Sequence, residues 1–82
     1  MMKQKKVKFA SADEAKDFVS RAGTCDFDVN VFYNRVIIDA KSLLGVLSLD
    51  LTKVLTVEFD GENAAFEEYL DGKNPLRAHA VA

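Results

Sequence analysis

The sequence has no tryptophan, one proline, four glycines, one cysteine and one histidine in 82 residues. So little proline and glycine excludes collagen-like and low-complexity chains. A hydrophobic content of 49% excludes an intrinsically disordered one, because enough apolar surface is present to offset the ordering entropy. A single cysteine, Cys25, can form neither an internal disulfide nor a multi-cysteine zinc site. Charge of one sign is missing too. The 11 basic and 13 acidic residues leave a formal charge of −2, so no overall basic surface recommends nucleic acid as a direct partner. No window approaches the roughly 20 apolar residues needed to cross a bilayer. The opening Met-Met-Lys-Gln-Lys-Lys is not followed by an apolar run of signal-peptide length. The expectation is one soluble, cytoplasmic domain over residues 1–82, without repeats or a linker and too small for a large enclosed active site.

What is present is a chain whose hydrophobic period changes along its length. Lys5 to Phe9 alternates charged and apolar residues, the pattern of a strand with one wet face. Ser11-Ala12-Asp13-Glu14 reads as a capping box, in which the Ser11 hydroxyl accepts from the Glu14 amide and the Glu14 carboxylate reaches back to the Ser11 amide. Ala15, Phe18, Val19 and Ala22 follow as one helical stripe, and Gly23 reads as a left-handed stop. Cys25, Phe27, Val29 and Val31 then alternate with Asp26, Asp28 and Asn30. Asn34 begins a turn, and Val36-Ile37-Ile38 are consecutive β-branched residues, so two antiparallel strands are expected. Ser42 can cap a short helix whose Leu43, Leu44, Val46 and Leu47 make it apolar on nearly every side. Val54 to Phe59 is a further strand. Asp60 or Gly61 opens a last helix with core contacts from Ala65, Phe66, Tyr69 and Leu70. Gly72 and Pro75 are its stop signals, and residues 71–82 read as its end and a C-terminal tail. The sum is β-α-β-β-α-β-α, an α+β domain with helices on one face of a four-stranded sheet and the other face wet.

The element order and the segment Lys41-Ser42-Leu43-Leu44-Gly45-Val46-Leu47-Ser48-Leu49 together resemble HPr, the phosphocarrier family of the bacterial sugar phosphotransferase system. That family carries Lys-Ser-(Ile/Leu)-Met-Gly-Val-Met-Ser-Leu at this place. Ala22 through Ser42 lies on the family pattern without a gap, including Asp26, Asn30, Tyr33, Asn34 and Lys41. The resemblance implies an open-faced β-sandwich with antiparallel strand order 1-4-2-3. It also implies that a histidine at the start of the first helix, beside an arginine, carries phosphate from enzyme I to sugar transporters.

Here the chain departs from the family. Aligned backward from the shared helix, Ser11 falls where the histidine would be, Asp13 where the arginine would be and Glu14 where the proline would be, in a loop shorter by several residues. Relay needs an imidazole nitrogen that forms a labile phosphoramidate, whereas a serine phosphate is a stable ester. A helix start with a basic neighbour stabilises a phosphate dianion; Asp13 and Glu14 repel it. At an effective dielectric near 20, one carboxylate about 4 Å away opposes it by about 4 kcal/mol before screening. No catalytic residue and no enzymatic activity are therefore expected, and Ser11 is explained as a helix cap.

Ser42 has two readings. It is a sufficient N-cap. By resemblance it is also the site of regulatory phosphorylation by a dedicated serine kinase and phosphatase, after which the modified protein docks on a transcriptional regulator. Lys41, Leu43, Leu47 and Ser48 are the partner-binding residues that the resemblance implies, with Leu43 and Leu47 read as docking residues and Leu44 as core. His79, the one imidazole, lies in the expected tail and reads as a solvated residue. Cys25 reads as a small buried hydrophobe, and Asp26, Asp28, Asp39 and Asp60 have no metal-loop spacing. No cofactor or metal is expected. The function expected is a protein-binding, regulatory relative of the phosphocarriers that lacks the carrier histidine, with phosphotransferase-system or regulatory proteins as partners. The alternatives are a carrier with an unusual acceptor such as His79, and a structural interaction domain without phosphorylation, paired through a strand edge.

Overall fold

A computed structural model describes residues 2–76 of the chain. The elements are β1 (Lys3–Val7), α1 (Ala12–Ala22), β2 (Val29–Tyr33), β3 (Val36–Asp39), α2 (Leu43–Leu47), β4 (Leu55–Phe59) and α3 (Ala64–Gly72). The four strands form one antiparallel sheet in the order β1-β4-β2-β3, as expected. Period-two alternation decides which side chains face the helices. Lys5 and Val7 lie opposite Val57 and Leu55, and Val29 and Val31 lie opposite Phe59 and Val57, so one inward face runs across β1, β4 and β2. Onto it pack Ala15, Phe18 and Ala22 of α1, Val46 of α2, and Phe66 and Leu70 of α3, all buried.

Aromatic rings hold the layers together. Phe18 lies 5.2 Å from Phe9 and 6.2 Å from Phe66, Phe66 meets Phe59 edge-on at 5.7 Å, and Phe59 stacks on Phe27 at 5.7 Å. Ion pairs close the outer side of the same seam. Lys3 reaches Glu67 at 2.9 Å, and Lys5 reaches Asp71 at 3.0 Å, joining β1 to α3.

Several boundaries differ from the sequence expectation. β1 spans Lys3–Val7 rather than Lys5 to Phe9, because its ladder with β4 begins at Lys3 opposite Phe59. Phe9 keeps its inward direction but lies beyond the strand. Cys25 and Phe27 alternate like strand residues yet precede β2. The Cys25 amide is already taken by the Ala22 carbonyl at the end of α1 (3.1 Å). Gly23 ends α1 at φ −64°, an ordinary right-handed conformation, and Asn34 takes the left-handed one (φ 55°) in the two-residue β2–β3 turn.

α3 starts later than expected. Asn63 caps it, accepting from the Phe66 amide at 3.0 Å, so Ala65 falls on the exposed side. Residues 71 and 72 belong to α3, not to a tail, and the Lys73 carbonyl accepts from the Lys8 amide at 2.9 Å. His79 lies outside the described residues. The sheet's open face is not wholly polar either: Phe32 and Ile37 sit opposite one another there, among Gln4, Lys6, Asn30, Asp39 and Glu58. Among the described residues, no helix is long and apolar enough to cross a membrane.

Gly45 sets how closely α2 approaches β3. A Cβ on it would lie 2.6 Å from Ile38 Cγ2 and 3.0 Å from Ser42 Oγ. Gly45→Ala is therefore expected to lower stability by about 1–3 kcal/mol despite the better helix propensity of alanine. A fall in the urea unfolding midpoint checks this; an unchanged or higher midpoint contradicts it.

Candidate functional site

The start of α1 is closed by its own side chains. Ser11 has an extended backbone (φ −158°), and its hydroxyl accepts from the Glu14 amide at 3.3 Å. Glu14 Oε1 accepts from the Ala10 amide at 3.0 Å, so the box closes one residue earlier than the Ser11 amide expected from sequence. The same oxygen meets the Lys73 ammonium at 3.2 Å. The Ala10 amide first, and the Lys73 ammonium next, hold the Glu14 carboxyl below the ordinary carboxylate range. Asp13 is exposed and only loosely paired with Lys16, at 4.0 Å. The first turn thus presents a capping hydroxyl and two carboxylates, and residues 10–14 contain neither histidine nor arginine. Such a turn has no phosphoryl acceptor of the imidazole type, and its charge opposes a bound anion.

α2 differs in chemistry. Ser42 is its N-cap, exposed, with Oγ accepting from the Gly45 amide at 3.2 Å. The amides of Leu43 and Leu44 have no acceptor among the described residues, as first-turn amides of a helix generally do not. Val46 is fully buried, and at 100° per residue this orients the rest. Leu47 turns toward the core edge and is partly buried, Leu43 is 40% exposed, and Leu44, opposite Val46, is 82% exposed. Leu44, expected in the core, is instead the most exposed leucine of the helix, and Leu47 is less available than expected. An apolar surface on nearly every side hid which residue faces in, and only the position of Val46 resolves it.

The neighbouring candidates have local roles. Lys41 donates its ammonium to the Cys25 carbonyl at 3.0 Å, and its amide donates to Asp39 Oδ1 at 2.9 Å. The first bond ties the start of α2 to the α1–β2 loop. Ser48 Oγ donates to the Gly45 carbonyl at 2.6 Å and closes α2 at its other end. Cys25 is buried, with its thiol taking a 3.5 Å contact from the Asn63 amide nitrogen, and burial pushes its pKa up. It is a packing residue rather than a nucleophile.

α1 and α2 are in contact, and an open depression of about 360 Å³ runs from Ser11 and Ala12 to Leu51 and Thr52. Of the expected residues, Ser11 caps α1, while Ser42, Leu43 and Leu47 belong to α2, which packs beside α1 without bringing Ser42 to Ser11's end. Sequence reasoning missed the exposure of Leu44 and the pairing of Lys73, at the end of α3, with Glu14. Lys73 meets Glu14 from nearly sixty positions away, and no local signal announces it.

The Glu14 bonds carry a pH dependence. A depressed folded pKa means stability present above the ordinary value of 4.5 and lost as pH falls through the folded value. Glu14→Gln should therefore be less stable than the parent near about pH 7, with the difference shrinking as pH falls below the ordinary carboxylate range and through the lowered folded value. Urea unfolding of both proteins over a pH series from neutral into the acid range tests this, and a difference that does not change with pH would contradict it.

No protein-family model and no curated protein sequence matches the chain. Solved structures do. The phosphocarrier protein HPr from Bacillus anthracis str. Ames superposes with a TM-score of 0.70 and 23% identity, covering 89% of this chain and 96% of that one. HPr-C-His from Thermoanaerobacter tengcongensis gives a TM-score of 0.67 and 20% identity, covering 89% and 93%. The fold of this chain is that of the HPr phosphocarrier proteins.

Proposed function

We propose that this chain is a regulatory, protein-docking relative of the HPr proteins, acting with proteins of the phosphoenolpyruvate-dependent sugar phosphotransferase system in the cytoplasm. It relays no phosphate through Ser11 and is not an enzyme. The observation that carries this reading is the contrast between the two helix starts. Each begins with an exposed serine whose hydroxyl caps the helix, but in α1 two carboxylates, Asp13 and Glu14, follow it, whereas the first turn of α2 has none. α2 begins with the exposed Ser42 and presents Leu43 and Leu44 to solvent.

An exposed apolar patch beside a modifiable hydroxyl has the chemistry of a switched docking surface. A phosphoryl group on Ser42 would add about two negative charges beside the unpaired Leu43 and Leu44 amides. Before modification a partner meets leucines; afterwards it meets leucines rimmed by a dianion. Lys41 and Ser48 flank that surface, and Leu47 forms its base. The partners of this reading are phosphotransferase-system proteins, a serine kinase with its phosphatase, and a transcriptional regulator.

Incubation with ATP and the serine kinase that modifies HPr should add one phosphate, found on Ser42 by peptide mass spectrometry and absent from Ser42→Ala. Leu44→Lys, exposed and therefore without cost to the core, should slow that modification about tenfold, as loss of an interface anchor does. No phosphate on this chain, with authentic HPr modified in parallel, would contradict the reading.

A further inference from the structure

The two outer strands of the sheet are unlike. β1 carries Lys3, Lys5 and Lys6 within five residues, the kind of charge that keeps an edge from pairing with another chain. β3 reads Val36-Ile37-Ile38-Asp39, with Ile37 67% and Val36 50% exposed. It has neither lysine nor proline.

The register shows which backbone groups of that edge are open. The Ala40 amide donates to the Val29 carbonyl at 2.8 Å, while Ile38 pairs with Val31 and Val36 with Tyr33. Hydrogen-bonded and non-hydrogen-bonded pairs alternate along an antiparallel ladder. Val36, Ile38 and Ala40 therefore bond to β2, and the amide and carbonyl of Ile37 point away from the sheet. The Asp39 amide points the same way, while its carbonyl accepts from the Ser42 amide at 2.9 Å.

The edge is also complementary to itself. In an antiparallel register centred on Ile37, Val36 lies opposite Ile38 of a second copy and Arg35 opposite its Asp39. Arg35 has no ion pair or hydrogen bond among the described residues. We propose that the chain forms a two-fold dimer with a second copy of itself, through β3 pairing centred on Ile37. The two four-stranded sheets become one continuous sheet.

The inference goes beyond the docking role of α2 and does not depend on it. The open Ile37 amide and carbonyl exchange hydrogen bonds across the axis. Ile37 and Asp39 share the sheet face that bears Phe32, which lies opposite Ile37 in the β2–β3 ladder, and Arg35 is the turn residue immediately before β3. Two isoleucines then meet at the axis, each backed by Phe32, with an Arg–Asp pair at either end. A two-fold pairing of this kind closes on itself and uses one edge only, leaving the lysine-rich β1 free. A strand this short buries little surface, so the dimer forms at high rather than trace concentration.

Sedimentation equilibrium over a concentration series should show the mass rising from one chain to two and stopping there. Ile37→Lys sets two ammonium groups against each other at the axis and should weaken association at least about tenfold. Arg35→Asp and Asp39→Arg should each be monomeric alone, and their equimolar mixture should dimerise, because both opposed pairs are then Asp with Arg. Circular dichroism confirms that each variant is folded. In the parent, the Ile37 amide should exchange with deuterium more slowly as concentration rises, with the already bonded Ile38 amide unchanged. If Asp39→Arg fails to fold, the Ile37→Lys and exchange results decide. A single-chain mass at every concentration, masses beyond two chains, or undiminished association of Ile37→Lys would each overturn the proposal. So would a mixture of folded variants that stays monomeric.

Discussion

The fold depends on one run of aromatic contacts, Phe9 to Phe18, Phe18 to Phe66, Phe66 to Phe59 and Phe59 to Phe27. These five rings come from the segment after β1, from α1, α3 and β4, and from the segment before β2. Every layer is therefore fixed to the others through them. Around this run the fully buried Val7, Val29, Val31, Val46, Leu55, Val57 and Leu70 complete the single core that stabilises a domain this small. The lysine pairs of β1 with α3 sit around this seam and set the register of α3 on the sheet rather than adding much stability.

That concentration of the core on one side has a consequence for α2. Its five residues place Val46 in the core and Leu47 at its edge, while Leu43 and Leu44 stay outside. Gly45 allows the helix to lie against Ile38. The helix is thus anchored through Val46, with Leu47 packed at the core edge, and displays Leu43 and Leu44. At the start of α1 the balance is reversed. Polar groups there are consumed by each other, with Ser11 on the Glu14 amide and Glu14 on the Ala10 amide and Lys73. Both starts are capped by a serine, but that of α1 is acidic and that of α2 is apolar, and the proposed docking role rests on that difference.

Much of the architecture was legible in the sequence because the segments have distinct periods. The stripe Ala15, Phe18, Ala22 and the alternation of Leu55, Val57 and Phe59 point inward as their spacing requires. The Ser11 and Ser42 caps are where short polar residues before apolar runs place them. The failures have equally local causes. Cys25 and Phe27 keep the strand alternation although the helix end holds their backbone, and Phe9 continues the alternation of β1 after the ladder has stopped. Ala65 reads as inward from its spacing to Tyr69, but with α3 capped at Asn63 it falls in the exposed first turn. Leu44 has no sequence signal for its exposure, because a helix apolar all round carries no phase information. The Glu14–Lys73 pair and the facing of Phe32 and Ile37 depend on the tertiary register and have no local signature.

The central claim is that a chain with the phosphocarrier fold has exchanged relay for docking, and phosphoryl transfer from phosphoenolpyruvate tests it most directly. Incubation with enzyme I and phosphoenolpyruvate, followed by phosphorus NMR and intact-mass spectrometry, should leave this chain unmodified while authentic HPr in the same conditions gains its acid-labile phosphate. An acid-labile phosphate on this chain, at His79 or any other acceptor, would make it a working carrier and contradict the account.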